Sequence, residues 1–183
     1  MQPVPRIAGF QGEFLWELEI AERQLTALAQ ALPAEKYAWR PDPKARSVSE
    51  VFIHVAAGNF MLLEAVGTPA PSDLYPDAPS QGEERVWSLV RRNDELEKTV
   101  CEKAAVASML KSSLDSVRRS FEACDDAALD RGVHFFGEQT SVRRVFLRLL
   151  SHAHEHMGQM IAYLRMNGML PPWSDWRPDR RAP

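Results

Sequence analysis

Apolar positions recur at threes and fours in long runs along this chain, and proline-rich stretches interrupt them; that rhythm predicts helices. Between about residues 10 and 31, Phe14, Leu18, Leu25, Leu28 and Leu32 mark one face before Pro33 ends the run. A second helix is predicted from near Ser47, where Ser47 and Glu50 form a capping box, to near Gly67, beyond which Pro69 and Pro71 cannot continue the ladder. A third helical region runs from another such box, Ser80 to Glu83, to about Cys124, and Thr99 to Glu102 offers a fresh start signal. One bent helix or two in line would both fit. The last helix is expected from about Thr140 to Asn167, closed by Gly168 and by Pro171-Pro172. The one strand candidate is the short GVHFFG at 132 to 137. Long amphipathic helices with short and medium loops predict an all-α fold, a four-helix bundle.

The same phase sorts the histidines. SHAHEHMGQM, 151 to 160, holds three of the five. Val142, Val145, Leu149, His152, His156, Gln159 and Tyr163 form the inward seam of the last helix. His154 lies two residues from each inward histidine, about 200° round the helix, and cannot share their direction. The second helix has its own seam, Val51, His54, Gly58, Met61 and Ala65. Inward imidazoles at i and i+4 can jointly hold a divalent cation, and His54 could complete a set of three with His152 and His156. Gly58, one turn after His54, would leave room beside such an ion for water or substrate. The competing reading is a set of hydrogen-bonded core histidines, and spacing alone leaves both open.

Other motifs are absent. His154-Glu155 is followed by Gly158 where the zinc-protease helix needs histidine, and no Glu-x-x-His of the di-iron bundles occurs. There is no phosphate loop, no GxSxG elbow and no CxxCH. Met61 and Met157 read as core fillers rather than haem ligands. Cys101 and Cys124 form no CxxC pair and are expected to be buried and inert.

At 183 residues and 45% hydrophobic, the chain suits one domain over 1–183, with an irregular tail at 171–183 whose Trp173 and Trp176 cover the core or a partner. A net charge of −3 with interspersed signs disfavours nucleic acid as a partner. No leader-like start and no membrane-length apolar run are found, so a cytoplasmic protein without membrane association is expected.

Three stretches resemble a known family: YAWRPDPKARSVSEVFIHVAAGN at 37 to 59, LDRGVHFFGEQTSVRRVFLRLLSHAHEHMGQMIAYLR at 129 to 165, and NGMLPPWS at 167 to 174. They are similar to the DinB-like proteins, which include metal-dependent hydrolases of the YfiT type. The resemblance implies an up-down-down-up four-helix bundle holding a divalent metal ion, nickel or zinc. Carried over by motif, its ligands are His54, His152 and His156. Many relatives have a second histidine directly beside the last ligand, whereas Met157 stands here. Relatives that use low-molecular-weight thiols make thiol transfer to an electrophile an expectation alongside hydrolysis.

Two functions follow. Three neutral imidazoles leave a cation's charge uncancelled and coordination positions open, which suits an enzyme acting on a small molecule. The other reading is a non-catalytic bundle that associates, for example as a homodimer, around a structural or vestigial metal. No general base is assigned: Glu50 serves a cap and Glu155 points away from the seam. Gln159 is either a support for His156 or a satisfied core amide. His134, beside Phe135 and Phe136, reads as surface, with a role at the mouth of the bundle as the less favoured alternative.

Overall fold

The computed structural model describes residues 9–80 and 82–174. It contains six helices, α1 (Gly9–Ala31), α2 (Val48–Glu64), α3 (Glu83–Thr99), α4 (Lys103–Glu122), α5 (Asp126–Asp130) and α6 (Val142–Met166), with a hairpin of β1 (Gly132–Phe135) and β2 (Glu138–Ser141) before α6. The capping box at Ser47 and Glu50 starts α2 with both reciprocal hydrogen bonds present. Gly67, at φ 95°, ends that segment in the left-handed conformation a glycine adopts without a Cβ clash.

Four helices are the rods of the bundle, and shared contacts fix their directions. Phe14 early in α1, Leu62 and Leu63 late in α2, Phe121 late in α4 and Phe146 early in α6 meet in one cluster. At the opposite end, Leu28 late in α1, Val51 early in α2, Val106 early in α4 and Leu164 late in α6 meet in another. The order is therefore up-down-down-up, the arrangement expected. Two consecutive parallel rods need a crossover about as long as a rod, and α3 is that crossover. Arg85 at its start pairs with Glu64 at the end of α2, and Glu97 near its end pairs with His54. It thus runs antiparallel to α2, whereas Asn59–Ser113 and Thr68–Ser120 contacts place α4 parallel to α2.

This corrects the expectation of one bent helix or two in line: the chain turns back between α3 and α4. Thr99 ends α3 rather than capping α4, whose N-cap is Glu102 with no side-chain hydrogen bond. The Ser80 box is corrected too, because α3 begins after Gly82. Thr140 belongs to β2, and Ser141 caps α6 by accepting a hydrogen bond from the amide of Arg144 at 3.3 Å.

The helix α2 is buried on nearly every side, as an apolar helix at the centre of a bundle must be. Its least buried strip is the one carrying His54, Met61 and Ala65. Trp173 packs on the core, while Trp176 lies outside the described residues. Buried thiols were expected, but Cys101 is exposed in the α3–α4 connection and Cys124 is half-buried. Among the described residues, no helix is long and apolar enough to cross a membrane.

Candidate metal centre

The middle of α2 and the middle of α6 bring His54, His152 and His156 together, and one ligand nitrogen from each lies within 4.8 Å of the others. The Nε2 atoms of His54 and His152 are 3.2 Å apart. Two nitrogens bonded to one tetrahedral zinc at about 2.0–2.1 Å would be about 3.3 Å apart, so that spacing fits a shared ion.

Each of two rings is fixed from behind. The Nδ1–H of His54 donates to Glu97 Oε1 at 2.7 Å, and that of His156 donates to Gln159 Oε1 at 2.8 Å. Carboxylate and amide oxygens accept, so the proton sits on Nδ1 and the Nε2 lone pair faces the centre. The supports are themselves held. Arg46 Nε donates to Glu97 Oε2 at 2.7 Å, Gln159 Nε2 donates to the Tyr163 hydroxyl at 3.0 Å, and that hydroxyl donates to the Arg46 carbonyl at 3.0 Å. One chain of hydrogen bonds thus links both histidine supports through the segment preceding α2. Gln159 is a support, settling the alternative left open above.

The third ring, His152, is buried, and its Nδ1 has no hydrogen-bond partner. Burial above all, then the neighbouring His156 and His54 and the Arg148 and Arg46 guanidiniums, push its pKa down to about 3. Burial also lowers that of His156. Neutral imidazoles are the form that ligates a metal. Burial pushes the Glu97 carboxyl up, but hydrogen bonds from His54 and Arg46 outweigh it and hold it below the usual carboxylate range. Two facing Nε2 atoms, a third imidazole beside them and two rings tethered through Nδ1 together fit a divalent cation.

Gly58 borders the open space beside the histidines, as the sequence led one to expect, and it also makes room for the His152 ring. A Cβ there would stand 2.9 Å from Cε1 of His152, so the missing side chain is what admits that ring. A cleft of about 260 Å³ opens beside His54 and His152, bordered by Glu97, Arg148 and Phe136. The centre is therefore accessible from one side.

The remaining candidates separate cleanly. His154 points elsewhere, its Nδ1 donating to the Leu150 carbonyl at 2.9 Å. Glu50 caps α2, and Glu155 pairs with Arg148 at 3.0 Å. His134 stands in β1 and borders a second cavity with Phe135 and Phe136. Glu97 escaped the sequence reading. Val86, Val90, Asn93 and Glu97 recur at fours and threes on α3, and phasing that helix would have exposed the stripe.

The fold and the match to a family model agree. A model described as the DinB superfamily matches residues 17–160. The chain is similar in structure to a DinB-like protein from Bacillus cereus, with a TM-score of 0.64 at 16% identity over 89% of this chain and 95% of that one. It is likewise similar to a DinB-like protein from Bacillus subtilis, with a TM-score of 0.58 at 14% identity over 85% and 92%. A conserved protein from Enterococcus faecalis gives 0.63 at 14% identity over 85% and 95%. Among curated proteins, none matches the chain by sequence.

Proposed function

The chain belongs to the DinB superfamily, and on that premise we propose that it is a metal-dependent enzyme acting on a small molecule, by hydrolysis or by transfer of a low-molecular-weight thiol. The observation that carries the reading is the pairing of a three-histidine set, two of its rings tethered from behind, with an open cleft at its side. Structural sites are closed by a fourth protein ligand, whereas catalytic ones keep a position free. Among the described residues, no fourth histidine, cysteine or carboxylate joins the three.

An ion held by His54, His152 and His156, zinc or nickel, would supply positive charge that favours the deprotonated form of a small nucleophile, water or thiol. The chain's own residues do the positioning. Glu97 holds the Nδ1 proton of His54, and its negative charge makes that ring a better donor toward the centre. Arg46 keeps the carboxylate ionised and aimed. Gln159, anchored by Tyr163, does the same for His156 without adding charge. Because the helices set the ring directions before anything binds, little ordering remains to be done at the moment of reaction.

Metal analysis of protein purified without an affinity tag tests the site. One divalent ion per chain is expected, and its loss in His156→Ala. Activated esters, and thiols paired with electrophiles, are then screened with and without the ion, and metal-dependent turnover is expected, with the chelated protein melting at a lower temperature but still folded. Unfolding on chelation, with no turnover on any substrate, would make the ion structural and defeat the enzymatic reading.

A further inference from the structure

The turn of the hairpin breaks a local rule in a place where nothing in the core requires it. Phe136 and Gly137 join β1 to β2 as a two-residue loop, and both have positive φ, 48° and 83°. Such turns favour Asn-Gly or Asp-Gly, since a bulky side chain is strained in the left-handed region. Burial does not offset the strain: Phe136 is 73% exposed. Its ring rests on that of Phe135, with centroids 4.5 Å apart, and borders two cavities at once.

One of these cavities is the cleft beside His54 and His152; the other, of about 360 Å³, lies between α2, α3 and the hairpin. They share Met61, Leu62, Val90 and Phe136 as walls and so adjoin, making a groove of two compartments. Its far part is mostly apolar, with Val86 standing 52% exposed on its rim. At its near end are the histidines and the Arg148 guanidinium. Polar chemistry at one end, and along the rest an apolar wall edged by the Arg85–Glu64 pair and His134, describe the ligand.

We propose that the groove roofed by Phe136 is the subsite for the organic body of the substrate, an amphipathic small molecule whose polar head meets the three histidines. Its aromatic or branched aliphatic body lies against Met61, Val86 and Phe136. The inference rests on the metal-dependent reading above. Conformational strain kept at an exposed aromatic is explained by a ligand that covers the ring only when bound.

Two hydroxamates with the same chelating head separate the proposals. Zinc-loaded protein is titrated with acetohydroxamate and with 4-phenylbutyrohydroxamate, in the wild type and in Phe136→Asn and Val86→Glu variants. Burial of the phenyl group is expected to tighten binding by about tenfold or more in the wild type. In both variants that advantage falls below about threefold, while acetohydroxamate binds as before. Phe136→Asn also melts at or above the wild-type temperature, because Asn suits the turn. Equal binding of the two compounds by the wild type, or an advantage that survives both substitutions, overturns the subsite. A melting temperature well below wild type in Phe136→Asn makes the ring structural and overturns it as well. If zinc-loaded protein fails to bind acetohydroxamate, the metal-dependent reading itself falls and the subsite with it.

Discussion

The same two rods, α2 and α6, are packed in opposite ways along their length. Where α2 ends and α6 begins, Leu62, Leu63, Phe146 and Leu149 close against Phe14 and Phe121 with almost no surface left in water. The Phe14 and Phe121 rings stack at 4.0 Å, and Phe121 meets Phe146 edge-on at 5.0 Å. One or two turns away, the contact is built of three imidazoles, a glycine and a cleft. The aromatic end is held by area removed from water, which needs no particular direction. The histidine end is held by directed hydrogen bonds from α3 and from α6 itself, which do need one. The tight apolar packing and the candidate metal centre therefore occupy neighbouring stretches of the same helices, and substitutions in the two should have different consequences.

The sharpest contrast comes from Phe121→Ala, which opens a cavity in the aromatic end. A loss of about 3–5 kcal/mol in urea unfolding is expected, with one metal ion per chain still taken up by the fraction that remains folded. A loss below about 1 kcal/mol would mean that the cluster repacks freely.

On the other side, Glu97→Gln removes a charge that supports His54. Metal affinity, measured by competition with a chelator, should weaken about 10- to 100-fold, with little change in the unfolding midpoint of the metal-free protein. Unchanged affinity would disconnect that carboxylate from the centre.

Gly58→Ala probes the boundary between the two stretches. Alanine gains about 1 kcal/mol of helix propensity over glycine, offset by crowding of the new Cβ against His152. Stability should move little, and metal affinity should fall by less than in Glu97→Gln. Tighter metal binding would show that the ring has slack the close contact does not suggest.

A last contrast is one of pH, in metal-free protein. His152 has its pKa moved from the ordinary 6.5 down to about 3. Between those values the unfolded chain takes up a proton that the folded one refuses, so stability falls as pH drops from about 6.5 toward 3. A series of urea titrations across that window should show a shallower slope in His152→Gln. Identical slopes would mean that the buried ring is protonated as readily folded as unfolded.

Legibility along the chain followed how local each feature is. The start of α2 at Ser47, the end of the last helix at Gly168 and the inward direction of His152 and His156 are set by residues within a turn or two of one another. Glu97 is different, for it reaches His54 only because the chain reverses between α3 and α4. Thr99 to Glu102 looked like a restart in line, and nothing within that segment records the reversal. Gly58 was placed on the right face, beside the open space, but only the closeness of α6 shows that its missing side chain also admits the His152 ring. The hairpin was visible as one short strand; its strained tip became meaningful only beside the cavities it borders.

By itself the sequence determined the long helical runs, the capping box of α2 and the phase that turns three histidines inward, because hydrogen-bonding geometry and the 3.6-residue period act over a few neighbours. Tertiary structure decided which of those rings meet, what holds them from behind and where the centre opens. Those outcomes depend on contacts between segments 43 and 98 residues apart, which no local rule encodes.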